Sequence, residues 1–260
     1  YGRTPFEFRF DPADHDFGEK TFLGETGPWN GEDIVDIICK QSATARFIAR
    51  KMYDFFVADE PPVPSWRQSE PRDMEAIKTL EKAYFDSGYE ISAMLKALFT
   101  SDFFKSESVH YAKVKSPAEV VIGTLRMVGQ HTGPEPGLFF VAMEPKYMGM
   151  DLLNPPTVEG WHTGAEWINS GTLIDRINFA AGLLGDTELP GVKSIIGRLM
   201  GGSDAVRPED FVDGCLDLTG PLTVAEETRS ELVAHVQSGG ELRHGSESER
   251  QNFSQRTGEM

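Results

Sequence analysis

The stretch Ile91-Ser-Ala-Met94-Leu95-Lys-Ala-Leu98-Phe99 decides the fold, because its large apolar residues recur at the three- and four-residue spacing of one helix face. The same period runs through Ile48, Met52, Phe55 and Phe56, through Met74, Ile77, Leu80 and Tyr84, and through Val192, Ile195, Ile196, Leu199 and Met200. Each stripe needs a neighbouring helix to cover it, so the expected fold class is mainly α, a multi-helix globular domain. Helix starts are marked too. Ser116, Pro117 and Glu119 supply an N-cap, a first-turn proline and a capping-box carboxylate ahead of Val121, Leu125 and Val128. Thr223 with Glu226 reads as a second capping box.

Only the front of the chain shows a two-residue period. Phe6, Phe8 and Phe10 alternate with Glu7 and Arg9, and Lys20 to Leu23 follow after a loop rich in Asp and Gly. Together they predict a small N-terminal β-hairpin over about residues 6–23, with helices thereafter. The breaks at 61–71, 133–137, 155–156, 185–191 and 201–208 are short enough to be interhelical connections, so a single helical domain is expected over 1–238. Residues 239–260 are polar, and are expected to be a frayed end or a loosely held further helix.

The chain has 260 residues, 41 of them acidic against 25 basic, for a formal charge of −16. That surface repels phosphate backbones and anionic membranes, so nucleic acid is excluded as a partner. No apolar run has the length of a membrane span, and membrane insertion is not expected. Cys39 and Cys215 sit at helical spacing among apolar residues and read as buried thiols rather than a disulfide. The chain opens on Tyr1 with no charged-then-apolar leader, and a processed protein or a fragment is expected.

Four segments carry a resemblance: HDFGEKTFLG at 15–24, TARFIARKMYDFFV at 44–57, KSPAEVVIGTLRMVG at 115–129 and LLNPPTVEGWHTGAEWINSGTLIDR at 152–176. In order and spacing the chain resembles the bacterial family known as domain of unknown function 1800, over roughly residues 6–185. The resemblance implies a largely helical protein, longer members at both ends, and export to the periplasm or extracellular space. It implies no assigned reaction and carries over no catalytic positions.

Three constellations can bear chemistry. The loop holding Asp11, Asp14, His15, Asp16 and Glu19 places four carboxylates and an imidazole within nine residues, with Gly18 for the bend. A divalent cation needs such oxygen ligands, although turns alone also favour Asp and Gly, and the spacing is not that of a complete EF-hand. Arg46 and Arg50 lie one helical turn apart on a face with Tyr53, as an anion-binding strip or as partners of internal carboxylates such as Asp16 and Glu19, docking the hairpin. The segment 154–167 joins two prolines, Trp161 and Trp167 to Glu159, His162 and Glu166. Its indoles are candidates for stacking on a ligand or for plugging a helix junction, and its carboxylates and imidazole for an acid and base pair. His110, His131, His235 and His244 show no paired metal spacing, and no CxxC, HExxH, GxSxG, P-loop or dinucleotide fingerprint occurs. Two functions follow: an exported binding or scaffold module for a partner protein or polymer, or a metal-assisted hydrolase joining the His15 loop to the Trp161–His162 segment. Whether the protein is an enzyme at all stays open at this point.

Overall fold

A computed structural model describes residues 9–131, 133–158, 160–161, 163–202, 204–220 and 224–260. The described chain is mainly helical and opens on a small antiparallel hairpin, as the apolar spacing predicts. It divides into two compact units, residues 1–113 and 114–260.

In the first unit, β1 (Lys20–Phe22) pairs with β2 (Glu25–Gly27), with Phe22 opposite Glu25 and Thr21 opposite Thr26. The strand expected from Phe6 to Phe10 lies largely outside the described residues, and the partner of β1 comes from the residues that follow it. The turn is Leu23-Gly24, with φ of 48° and 88°, a left-handed pair whose twist suits a two-residue hairpin. Leu-Gly lacks the usual Asn-Gly or Asp-Gly signature, which is why the sequence pattern passes over it.

Helices α1 (Gly31–Cys39), α2 (Ser42–Phe56), α3 (Met74–Asp86), α4 (Ile91–Thr100) and α5 (Asp102–Lys105) follow. Their core joins Ala45, Ala49, Met52 and Tyr53 of α2 to Ile77, Leu80 and Tyr84 of α3 and Met94 and Leu98 of α4. Full burial of each large apolar side chain contributes about 1.5–3 kcal/mol. The buried stripe of α2 is rotated from the expected one. Tyr53 and Arg50 face inward, whereas Phe55 is 70% exposed, because Arg50 pairs with the buried carboxylate of Glu60.

The second unit comprises α6 (Pro117–Val128), α7 (Leu138–Val141), α8 (Glu144–Tyr147), α9 (Ser170–Leu184), α10 (Pro190–Met200), α11 (Pro208–Thr219), α12 (Glu226–Ser238) and α13 (Glu247–Glu259). The Ser116 hydroxyl accepts from the Glu119 amide and the Glu119 carboxylate from the Ser116 amide, the capping box read from the sequence. Thr223, the other expected cap, lies outside the described residues. Between α6 and α10 the backbones touch so closely that a Cβ on Gly191 would lie 1.9 Å from the Met127 carbonyl. The core gathers Val192, Ile196 and Leu199 of α10, Phe211 and Val212 of α11, Val236 of α12 and Phe253 of α13.

The polar C-terminal segment is firmly packed. Phe253 is fully buried with its ring edge-on to Phe211 at 5.4 Å, and Leu242 lies in β4 (Leu242–Arg243), antiparallel to β3 (Ala205–Val206). This second two-residue ladder is too short to leave a period in the sequence.

Candidate functional site

The His15 loop spends its polar atoms on its own backbone. An Asp11 carboxylate oxygen accepts from the Ala13 amide at 2.9 Å and one from Asp16 accepts from the Gly18 amide at 2.8 Å, the local bonding that makes Asp a turn residue. Lys20 Nζ donates to the carbonyls of Asp16 and Gly18, placing a cation of the protein itself where a metal would need oxygens. His15 lies between Phe10 and Phe17, with ring centroids 5.1 and 4.6 Å away. Among the described residues no group of three or more His, Cys, Asp or Glu side chains can hold a metal ion. The divalent cation expected at Asp11, Asp14, His15, Asp16 and Glu19 is therefore corrected: these side chains form no such group, and those of Asp11 and Asp16 each accept from an amide of their own turn. The metal-assisted hydrolase loses the ion it required.

Arg50 is 3% exposed and engages Glu60, which is 5% exposed. Arg50 Nε and Nη2 donate to Glu60 Oε2 at 2.9 and 2.7 Å, while Nη1 and Nη2 reach the carbonyls of Ser69 and Glu70 at 2.9 and 3.1 Å. Glu60 Oε1 accepts from the Arg72 amide at 2.8 Å, and the guanidinium lies over the Trp66 ring at 4.7 Å. This cluster pins the connection between α2 and α3, and Arg50 pairs with Glu60 instead of Asp16 or Glu19. Arg46 stays on the surface, its Nε 2.8 Å from Glu81, and that bond raises its pKa further.

In the segment 151–169, Glu159 and His162 lie outside the described residues, and Glu166 is exposed on a short 3₁₀ turn, Gly164–Trp167. Trp167 is 5% exposed, and its carbonyl accepts from the Thr172 hydroxyl at 2.9 Å beside the Asn169 cap of α9. Trp161 is half-buried, with its Nε1 enclosed and lacking an acceptor among the described residues. The preceding turn does the opposite with its apolar residues. Leu153 is 95% exposed and Val158 fully so.

That turn is built to hold its shape. Lys146 bridges to Asp151 at 3.0 Å, and Asn154 Nδ2 donates to the same carboxylate at 3.2 Å, bonds that hold the Asp151 carboxyl below its ordinary pKa. The Asn154 amide donates to the Asp151 carbonyl at 3.0 Å and the Gly160 amide to the Thr157 carbonyl at 3.1 Å, with Pro155 and Pro156 between. Leu153 adopts φ of 63°, a left-handed conformation that costs a non-glycine residue about 1–2 kcal/mol.

The turn follows α8, whose Glu144 and Tyr147 wall a groove of about 530 Å³ lined by residues of α6, α7, α8 and α9. Its aromatic residues are Phe140, Tyr147 and Phe179, and its charged ones are Glu144 and Asp175. Phe140 is 73% and Tyr147 61% exposed. Phe139 and Phe140 follow directly on the glycine and proline break at 133–137, where no helical period precedes them. An unshielded Phe-Phe pair in a helix of four residues was the available signal. On α9, Arg176 is 8% exposed, gives Nη1 to the Lys115 carbonyl at 2.8 Å, and has no partner at Nε or Nη2 among the described residues. Burial lowers its pKa.

No helix among the described residues is long and apolar enough to cross a membrane. No curated protein and no solved structure matches the chain. The four quoted segments nonetheless fall inside one continuous family match over residues 2–250, and the chain belongs to the family described as protein of unknown function DUF1800.

Proposed function

We propose that this chain is a binding module for a partner protein, engaged through the surface of the 114–260 unit. The observation that carries this is the pair Leu153 and Val158, held in water on a turn fixed by two prolines, an ion pair and a strained residue. Exposing them forgoes about 1.5–3 kcal/mol each that burial would provide, and the left-handed Leu153 adds a further cost that folding does not recover. A partner that covers these side chains would recover it, because a pre-ordered turn loses little entropy on binding. Trp167, sequestered in the interior, argues against stacking on a polymer. An exported location, periplasmic or extracellular, belongs to the same proposal and is supported by the family resemblance.

The test is a double substitution, Leu153→Asp with Val158→Asp, in the tagged full-length protein expressed in its source organism. The wild type should elute with a stoichiometric protein partner, and the variant should elute alone with an unchanged melting temperature. A variant that keeps the partner, or a wild type that carries none, would overturn the proposal.

A further inference from the structure

We infer that the groove of α6 to α9 receives a Lys- or Arg-bearing apolar segment of the partner, an inference that rests on the binding-module proposal and specifies its ligand chemistry. Phe140, Tyr147 and Phe179 present ring surface, Leu125, Val141 and Leu183 add aliphatic surface, and Glu144 and Asp175 supply the charge. Among the described residues, no Lys or Arg lines the groove. Several acidic residues of the unit are matched with bases, such as Asp151 with Lys146, Glu188 with Lys193 and Asp213 with Arg229, whereas others, such as Glu226 and Glu227 on α12, have no ion pair among the described residues. Glu144 and Asp175 have no ion-pair partner among the described residues.

Aromatic faces carry negative quadrupole potential, so rings and carboxylates on one groove select the same ligand, a cation. An anionic segment would meet both sets of groups unfavourably. The aliphatic residues favour apolar neighbours of that cation, and an open trough on the surface suits an extended or helical segment rather than an enclosed small molecule. The −16 formal charge of the chain steers such a segment toward the protein but does not choose the site. The groove chooses it, by pairing charge with ring surface.

The probe is a short synthetic amphipathic peptide of Leu and Lys, set against its Leu and Glu counterpart, with binding to the full chain followed by fluorescence anisotropy. The Leu/Lys peptide should bind, and the Leu/Glu peptide should bind at least about tenfold more weakly. Glu144→Gln with Asp175→Asn should weaken the Leu/Lys peptide about tenfold, and Phe140→Ala with Tyr147→Ala by at least as much. The control Glu226→Gln with Glu227→Gln, which removes the same charge from α12, should change it by less than about twofold. Equal losses in groove and control variants, equal binding of the two peptides, or no Leu/Lys binding would overturn the inference. The natural partner separates the two proposals. If Leu153→Asp with Val158→Asp releases it while Glu144→Gln with Asp175→Asn retains it, the binding module stands and the cationic segment falls. If neither variant releases it, both fall.

Discussion

Replacing Arg50 with Met should destabilise the 1–113 unit severely although no surface contact is lost. The guanidinium makes six hydrogen bonds, two to Glu60 Oε2 and the others to the Trp66, Ser69 and Glu70 carbonyls and the Ser69 hydroxyl. Removing it leaves the Glu60 carboxylate 5% exposed, with the Arg72 amide as its remaining donor to Oε1. Breaking one side of a buried ion pair costs about 3–5 kcal/mol, chiefly from the charge left behind. For a unit of this size a change of that order moves the melting temperature by ~15 °C. Arg50→Lys restores the charge but not the fork of donors, and should recover only part of the loss. Arg50→Met with Glu60→Met removes both charges together, and should be milder than Arg50→Met alone. Urea unfolding followed by tryptophan fluorescence is the assay, because Trp66 lies under the guanidinium at 4.7 Å and reports directly on this cluster. A loss below about 1 kcal/mol for Arg50→Met, or a double variant worse than the single one, would refute the assignment of Arg50 and Glu60 as a buried structural pair.

Further outcomes follow from other sites. Tyr84, 1% exposed and donating to the Cys39 carbonyl, has its pKa pushed up to about 12 by burial and then by that bond. A raised folded pKa means its stabilising contribution is complete below the unfolded value of 10 and is lost as pH rises toward 12, so the Tyr84 phenol should ionise late in an ultraviolet titration, together with unfolding. Burial pushes the Cys215 thiol up to about 11, so it should resist alkylation at pH 8 in the folded protein and react on denaturation, as mass spectrometry would read. Gly191→Ala drives a methyl group into the Met127 carbonyl and should cost the 114–260 unit about 3 kcal/mol in chemical denaturation. A chelator should leave the melting curve unchanged, and a lowered midpoint would mean that the protein does hold a structural cation.

The helices were legible because their apolar residues follow the helix period and their caps are local: Ser116 with Glu119, and the Leu80, Met94 and Leu98 stripes, declare themselves within a turn or two. What hid was set by distant partners. Phe55 has the spacing of a core residue, but a helix can turn only one face inward, and the Glu60 carboxylate draws the Arg50 face instead. The β1 partner hid behind a Leu-Gly turn, and the β3 and β4 ladder behind strands of two residues. At the candidate site, the 152–167 segment was conspicuous for its prolines and indoles, yet the informative residues are Leu153 and Val158, whose exposure no local pattern encodes. The groove escaped for the same reason, since Phe140, Glu144, Asp175 and Phe179 become neighbours only when α7, α8 and α9 pack. The acidic loop misled because Asp at a turn and Asp at a cation are written alike, and only the side-chain directions separate them.

Hydrogen exchange on the protein with and without its co-purified partner tests the binding surface most directly. Protection on binding should concentrate in residues 138–160 and 173–183, the exposed turn and the walls of the groove. Protection confined to other parts of the chain, with those segments exchanging at the same rate in both states, would contradict it.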